Sequence, residues 1–184
     1  MASLTDRMLR AARLDATLYE EVEADPTTMR QAMTVVVLAS IAGGIGSAQE
    51  IGVLGIVIGT VVSLIGWYVW AFITYFIGTR WLPQPSTHAD VGQMLRTIGF
   101  ASSPGLIQVL GIVPVLGPIA RVVAAIWSLC AMVVAVRQAL DYDSTGRAVA
   151  VCVVGWLVQI AIILLPLLLL GAVMVGAGGV TRSA

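Results

Sequence analysis

Five long apolar stretches occupy most of this 184-residue chain between residues 31 and 181. Only 11% of the residues are charged, 59% are hydrophobic, and the mean hydropathy is +0.97. A soluble fold could not bury so much apolar surface, since soluble domains are about a quarter charged. A helix of ~20 apolar residues crosses a bilayer. The pattern therefore predicts an all-α integral membrane helical bundle with five transmembrane helices.

The ten arginines fall mostly on one side of the predicted spans. If the N-terminus is cytoplasmic, only Arg121 and Arg182 lie outside. Because cytoplasmic loops of membrane proteins carry an excess of basic residues, we predict a cytoplasmic N-terminus and an outside C-terminus. The eight arginines on the inner side are Arg7, Arg10, Arg13, Arg30, Arg80, Arg96, Arg137 and Arg147.

The chain divides into three predicted regions. Residues 1–29 are a cytoplasmic amphipathic arm, residues 30–176 are the membrane domain, and residues 177–184 are a flexible tail. The arm is basic in its first half and acidic in its second half. We expect it to pack on its own protein, and a position on lipid headgroups is the alternative. The predicted spans cover about 30–48, 51–78, a third ending near 112, then 118–140 and 147–176.

Helix-start signals precede several of these segments. Ser3 and Asp6 form a capping pattern, and Thr87 with Asp90 forms another. Asp25 followed by Pro26 suits the start of a helix, because proline lacks the N–H group that has no partner there. We therefore expect helices to begin after Ser3, Asp25 and Thr87.

Small residues and prolines modify the predicted spans. Gly55, Gly59 and Ser63 lie four residues apart on one face of the second span, which favours close helix packing. We expect that face to pack within the bundle, and contact across a dimer is the alternative. Pro104 and Pro166 each remove a helical hydrogen bond, so they predict breaks in the third and fifth spans. The turn joining the third and fourth spans is too short to extend far beyond the membrane.

The sequence offers no catalytic, cofactor or metal site. His88 is the single histidine, and no Cys neighbours it to complete a zinc site. The formal net charge of zero argues against nucleic acid as a partner. Gln108 and Gln159 are the best polar candidates within the spans. We expect each to hydrogen-bond a neighbouring helix, and a substrate site is the alternative.

Charged residues cluster on the predicted cytoplasmic side. They either pair with one another or form a docking surface for a partner protein. We treat the second reading as a hypothesis about partner binding. The residues concerned are Arg96, Arg137, Asp141, Asp143 and Arg147.

Three passages carry a family resemblance: Leu18 to Pro26, Arg96 to Pro104, and Ile126-Trp127 with Ala135 to Leu140 and Ser144 to Ala148. Together they resemble the bacterial branch of the Yip family, the Ypt/Rab-interacting membrane proteins. The resemblance implies a five-span helical domain with a cytosolic N-terminus and no established catalytic residue. Eukaryotic relatives bind prenylated Rab-type GTPases, but this chain lacks their long cytosolic N-terminal region, so that partner is not carried over.

Two functional hypotheses follow. The first is a non-enzymatic multi-pass protein of a bacterial inner membrane, which scaffolds or organises partner proteins or shapes the bilayer through its cytoplasmic loops. The alternative is a small permease or lipid-handling protein, because broken helices often flank sites near the membrane midplane. Both include membrane lipids as partners. The first hypothesis adds a cytoplasmic or membrane protein as a partner. Homo-oligomerisation is left open.

Overall fold

The structure, a computed structural model, describes residues 2–113 and 115–180, with side chains at all of these positions except 49–51, 163 and 165–180. All regular elements in this part of the chain are helical. The α-helices are α1 (Leu4–Ala12), α2 (Ala16–Ala24), α3 (Met29–Gly46), α4 (Ala48–Phe76), α5 (Val91–Ala101), α6 (Gly117–Ala139) and α7 (Thr145–Val180). A 3-10 turn spans Pro26–Thr28, a π-helical turn spans Ile77–Trp81, and a 3-10 segment spans Ser103–Ile112.

The described residues include four helices that are long and apolar enough to cross a membrane. Their outer faces are covered by exposed apolar side chains such as Val53 and Leu54, which are 80% and 71% exposed. Such faces are stable against lipid chains rather than water. The prediction of an all-helical membrane bundle is therefore confirmed. The four helical stretches are Pro26–Gly46, Gly52–Trp81, Gly117–Ala139 and Thr145–Ile162.

The stretch predicted as the third span folds as two shorter pieces. Helix α5 has 11 residues and ends at Ala101, and the 3-10 segment that follows has 10 residues. Pro104 lies in the first turn of the 3-10 segment, where its missing N–H group leaves no helical bond unmade. Neither piece reaches the length of a membrane span on its own.

The bundle has two distinct ends. The arm end carries α1, α2 and the loops 82–90 and 140–144, which are joined by hydrogen bonds such as Ser86 Oγ to the Asp141 carbonyl at 2.9 Å. The far end carries the turns between α3 and α4 and between the 3-10 segment and α6. There Gly46 and Gly111 bring two backbones so close that a Cβ on Gly111 would lie 2.7 Å from the Gly46 carbonyl oxygen. The unit formed by α5 and the 3-10 segment thus runs from one end to the other.

The N-terminal arm packs against the bundle through buried apolar side chains of α1 and α2. Leu18, Tyr19 and Val22 are fully buried against a cluster that includes Phe100 of α5 and Ala131 of α6. The indole nitrogen of Trp127 donates to the Ala12 carbonyl at 2.7 Å. The expected packing of the arm on its own protein is therefore what the structure contains.

Ion pairs fold the arm onto itself. Arg10 contacts Asp15 at 2.8 Å and Glu21 at 2.6 Å, and Arg7 contacts Glu21 at 2.8 Å. The hydrogen bond from Arg10 is the largest cause that lowers the pKa of Glu21. The basic first half and the acidic second half of the arm are therefore complementary to each other.

Helix starts follow the capping signals with one shift. Ser3 caps α1 and Asp25 caps the turn that leads into α3, as expected. The third signal acts later than expected, because Asp90 forms the capping box with Gln93 and α5 begins at Val91. Thr87 instead accepts a hydrogen bond from the Gln84 amide at 2.9 Å.

Candidate functional site

A large, partly open cavity lies between α3, α4, α5, the 3-10 segment, α6 and α7. Its volume is about 1030 Å³, at the upper end of the ~300–1,000 Å³ that is typical of ligand pockets. The walls are mostly apolar, with Val36, Ile56 and Leu129 among the lining residues. The sequence did not predict this cavity, because a cavity depends on which helix faces fail to meet.

The small residues of α4 form one wall of the cavity. Gly55, Gly59 and Ser63 all line it, and Gly66 continues the wall one turn further. A Cβ built on Gly59 or Gly66 would have no heavy atom within 4 Å. The expected close packing of this face within the bundle is thus not found at Gly59, where the missing side chain leaves open space.

Two carboxamides and several hydroxyls are the polar groups of the lining. Gln108 and Gln159 both face the cavity and are half-buried. Within the described part of the chain, neither carboxamide has a protein hydrogen-bond partner, so the expected bonds to neighbouring helices are not found. The hydroxyl groups of Ser40 and Ser102, in contrast, donate to carbonyls of their own helices.

The described lining contains no Asp, Glu, Lys, Arg or His. An unpaired charge is costly inside a membrane, so an uncharged lining favours uncharged contents. The cavity is therefore chemically distinct from ion and proton pathways, which use ionisable residues.

The arm side of the cavity is closed by aromatic side chains and the core. The Trp67 indole donates to the Leu95 carbonyl at 3.0 Å, and the Trp70 indole donates to the Met132 sulfur at 3.3 Å. Beyond these residues lies a cluster that includes Ile77 and Leu140, both almost fully buried. The cavity is thus bounded at the arm end and extends toward the far end.

Arg96 lies beneath the N-terminal arm rather than on a free surface. It is 6% exposed, and its Nε donates to the Val22 carbonyl at 2.8 Å. A second nitrogen donates to the Glu23 carbonyl. Both acceptors lie in the last turn of α2, where helix carbonyls lack intrahelical partners. In this arrangement Arg96 is covered and secures the arm, so a docking partner could not reach it.

Glu23 is a partly buried carboxyl at the same junction. It accepts a hydrogen bond from Gln93 at 3.1 Å. Burial and the neighbouring Asp141 carboxylate raise the pKa of Glu23 to about 7. A carboxyl whose pKa is raised on folding contributes stability below its unfolded pKa and loses that contribution as the pH rises through the folded value. Glu23 therefore favours the docked arm at acidic pH.

The other arm-end charges mostly organise the loop between α6 and α7. Arg137 donates to the Tyr142 carbonyl at 3.1 Å and the Asp143 carbonyl at 3.3 Å. Arg147 donates to the Pro83 carbonyl at 3.2 Å. No ion pair with Asp141 or Asp143 occurs among the described residues. Asp141, Asp143 and Arg147 are exposed, so three of the five predicted partner-binding residues remain accessible.

Tyr142 is a site residue that the sequence reading missed. Its hydroxyl lies 3.1 Å from the Gly78 carbonyl and 2.6 Å from the Leu82 carbonyl, and it joins the two arm-end loops. Burial raises the pKa of this hydroxyl above its ordinary value. The sequence feature that could have predicted this role is a tyrosine within an otherwise polar, turn-forming segment, because a buried tyrosine hydroxyl usually has a hydrogen-bond partner.

The second predicted helix break lies at Pro166. The helix α7 is assigned from Thr145 to Val180 through that position. The side chain of Pro166 is outside the described residues, and a bend at this proline stays a prediction. The described residues contain no group of three His, Cys, Asp or Glu side chains that could hold a metal ion.

Comparison with known families matches residues 17–167 to the Yip1 domain. Searches of curated proteins and of solved structures gave no match. The matched range begins in α2 and ends in α7, and it contains all lining residues of the cavity as well as both arm-end loops. It covers well over half of the chain, and the protein belongs to the Yip1 domain family.

Proposed function

We propose that this protein is a non-enzymatic lipid-handling membrane protein that binds a lipid inside its bundle. The cavity of about 1030 Å³ carries this proposal, because ligand sites are typically concave, mostly apolar and supplied with a few polar groups. The helices that line the cavity have apolar outer faces, so lipid is the molecule that surrounds the bundle. Of the two hypotheses drawn from the sequence, the geometry thus supports the lipid-handling one better.

Filling the cavity is expected to displace the lipid. Gly59→Leu combined with Gly66→Leu places two apolar side chains in space that now holds no heavy atom within 4 Å. We expect lipid retained by the purified protein, measured by native mass spectrometry, to fall roughly tenfold, equivalent to about 1.4 kcal/mol of binding free energy. The control variant Val57→Leu with Val62→Leu enlarges side chains on the exposed face of the same helix. Equal lipid retention in both variants would contradict the proposal.

We also propose five membrane crossings in a bacterial inner membrane, with the N-terminus in the cytoplasm. The third crossing would be α5 together with the 3-10 segment, whose 11 and 10 residues span roughly 36 Å at 1.5 Å and 2.0 Å per residue. This length suffices for ~30 Å of hydrocarbon. The arginine distribution supports the same orientation.

Cysteine labelling tests this topology. In a variant without Cys130 and Cys152, single cysteines replace His88 in the arm-end loop and Val115 in the far-end turn, where Val115 is 78% exposed. A membrane-impermeant maleimide added to spheroplasts should label position 115 and should label position 88 only after permeabilisation. Identical labelling of the two positions would show that α5 and the 3-10 segment do not cross.

A second function, scaffolding of a partner protein, is supported by the exposed charges of the loop between α6 and α7. Asp141 adopts a positive φ of 51°, which points to a tightly formed loop that presents Asp143 to solvent. A photocrosslinker at position 143 should capture one reproducible partner, and replacing Asp141 and Arg147 by Asn and Gln should abolish capture. Capture of lipid or of further copies of the chain alone would exclude this function.

A further inference from the structure

The two unpartnered carboxamides of the cavity indicate what kind of lipid it holds. The Gln108 side chain rests against glycines on two elements: a Cβ built on Gly43 would lie 3.3 Å from its Oε1, and one on Gly105 would lie 3.5 Å from its Nε2. The carboxamide therefore lies close to the backbone of α3 and to that of its own segment. Gln159 faces the same space from α7.

A carboxamide without a partner is costly in an apolar environment. Transfer of such a group out of water without a compensating hydrogen bond is unfavourable by several kcal/mol, and the bilayer core offers no water as a substitute. Each carboxamide has both donors and an acceptor. A ligand with hydroxyl and ester groups would satisfy them.

The absence of charge from the described lining excludes an anionic group as the preferred content. Among the described lining residues a phosphate would meet neither Arg nor Lys, and its desolvation would be uncompensated there. The membrane supplies lipids of both kinds, with and without a phosphate. The chemistry of the lining distinguishes between them.

The carboxamide of Gln108 also lies toward one end of the cavity. Gln108 is four residues from the far end of its segment, and Gly43 is three residues from the far end of α3. Trp67, Trp70 and Met132 line the opposite, arm side. A lipid with its polar groups at the far end and its chains toward the arm end matches this polarity.

We infer that the cavity selects an uncharged lipid of the diacylglycerol type, whose hydroxyl and ester groups hydrogen-bond to Gln108 and Gln159. The inference rests on the proposed lipid-binding function and adds the ligand class to it. It makes the two glutamines specificity-determining residues rather than helix-packing residues.

Competition between two lipids with identical chains tests this inference. The full-length protein is placed in phosphatidylcholine nanodiscs that contain equal amounts of dioleoylglycerol and dioleoylphosphatidic acid. The protein is then released from the nanodiscs, and the lipid that it retains is measured by native mass spectrometry. We expect the wild-type protein to retain dioleoylglycerol over dioleoylphosphatidic acid by about tenfold.

The variant Gln108→Leu with Gln159→Leu should abolish this preference while retaining total lipid. The control variant Val109→Leu with Ile160→Leu changes exposed neighbours that do not line the cavity, and it should keep the preference. Equal retention of both lipids by the wild type, or a preference that survives in the glutamine variant, would overturn the inference. If cavity filling at Gly59 and Gly66 still reduced total lipid, the proposed function would nevertheless stand.

Discussion

Replacing Arg96 by Met is expected to release the N-terminal arm from the bundle. The substitution removes the Arg96 donors to the Val22 and Glu23 carbonyls. The Val22 carbonyl keeps the Thr28 hydroxyl as a donor at 3.1 Å, whereas the Glu23 carbonyl loses its side-chain donor. Each unsatisfied buried group costs about 1–3 kcal/mol. We expect amide exchange in α2 to accelerate by on the order of a hundredfold, with little change in the exchange of α6.

Hydrogen–deuterium exchange with mass spectrometry measures this effect. Arg30→Met serves as the matched control, because Arg30 is exposed and lies close by at the start of α3. Arg96→Lys keeps the charge but has no planar fork to reach two carbonyls, so it should give an intermediate rate. Unchanged protection of α2 in Arg96→Met would show that apolar contacts alone hold the arm.

Replacing Gly46 by Leu is expected to have the other large effect. A Cβ at this position would overlap the backbone carbonyl of Gln108 and lie 3.3 Å from the Gly111 Cα. Backbone atoms cannot move aside as a side-chain tip can, so α3 and the 3-10 segment must separate. We expect destabilisation by about 3 kcal/mol or more, at the upper end of overpacking costs.

Thermal unfolding of the delipidated protein in mild detergent, followed by size-exclusion chromatography, measures this loss. Gly66→Leu is the matched control, since the same substitution there meets open space. Leu favours a helix over Gly by up to about 1 kcal/mol, so the control should be as stable as the wild type or slightly more stable. A control that melts as early as Gly46→Leu would contradict the distinction between the packed and the open glycine.

Hydropathy and capping residues predicted the membrane class and several helix starts. The all-helical bundle and the caps at Ser3 and Asp25 follow from local chemistry, which neighbouring residues are sufficient to determine. The shift of the third helix start from Thr87 to Asp90 has a tertiary cause, since the preceding loop packs against loop 140–144. Such contacts link residues more than 50 positions apart and leave no local pattern.

The candidate site was harder to predict from the sequence than the fold. Gln108 and Gln159 stood out as polar residues within apolar stretches, but their shared cavity depends on how six elements meet. The small residues spaced four apart, including Gly59, predicted close helix packing. The same spacing also occurs on a helix face that lines an open cavity. Arg96 is a residue type that is usually exposed at the surface. Its burial arises from contact with the N-terminal arm, more than 70 residues away in the sequence.

The structure also changes the relative support for the two functional hypotheses. The docking hypothesis is weakened, because Arg96 is covered by the arm and Arg137 is hydrogen-bonded to backbone carbonyls of the loop between α6 and α7. The lipid-handling hypothesis is strengthened, because the described cavity lining is uncharged and contains two carboxamides without protein hydrogen-bond partners. The two functions are compatible, because the cavity extends toward the far end whereas the exposed Asp143 lies at the arm end.

Photocrosslinking with a diacyl lipid that carries a diazirine in its chain tests lipid binding inside the bundle most directly. In proteoliposomes, mapped adducts are expected at Ser128 and Met132, which line the cavity, as well as at Ile126 on the outer face of α6. The Gly59→Leu/Gly66→Leu variant should lose the cavity adducts and keep the adduct at Ile126. Adducts confined to Ile126 in the wild-type protein would contradict the account, because lipid would then contact the bundle only from outside.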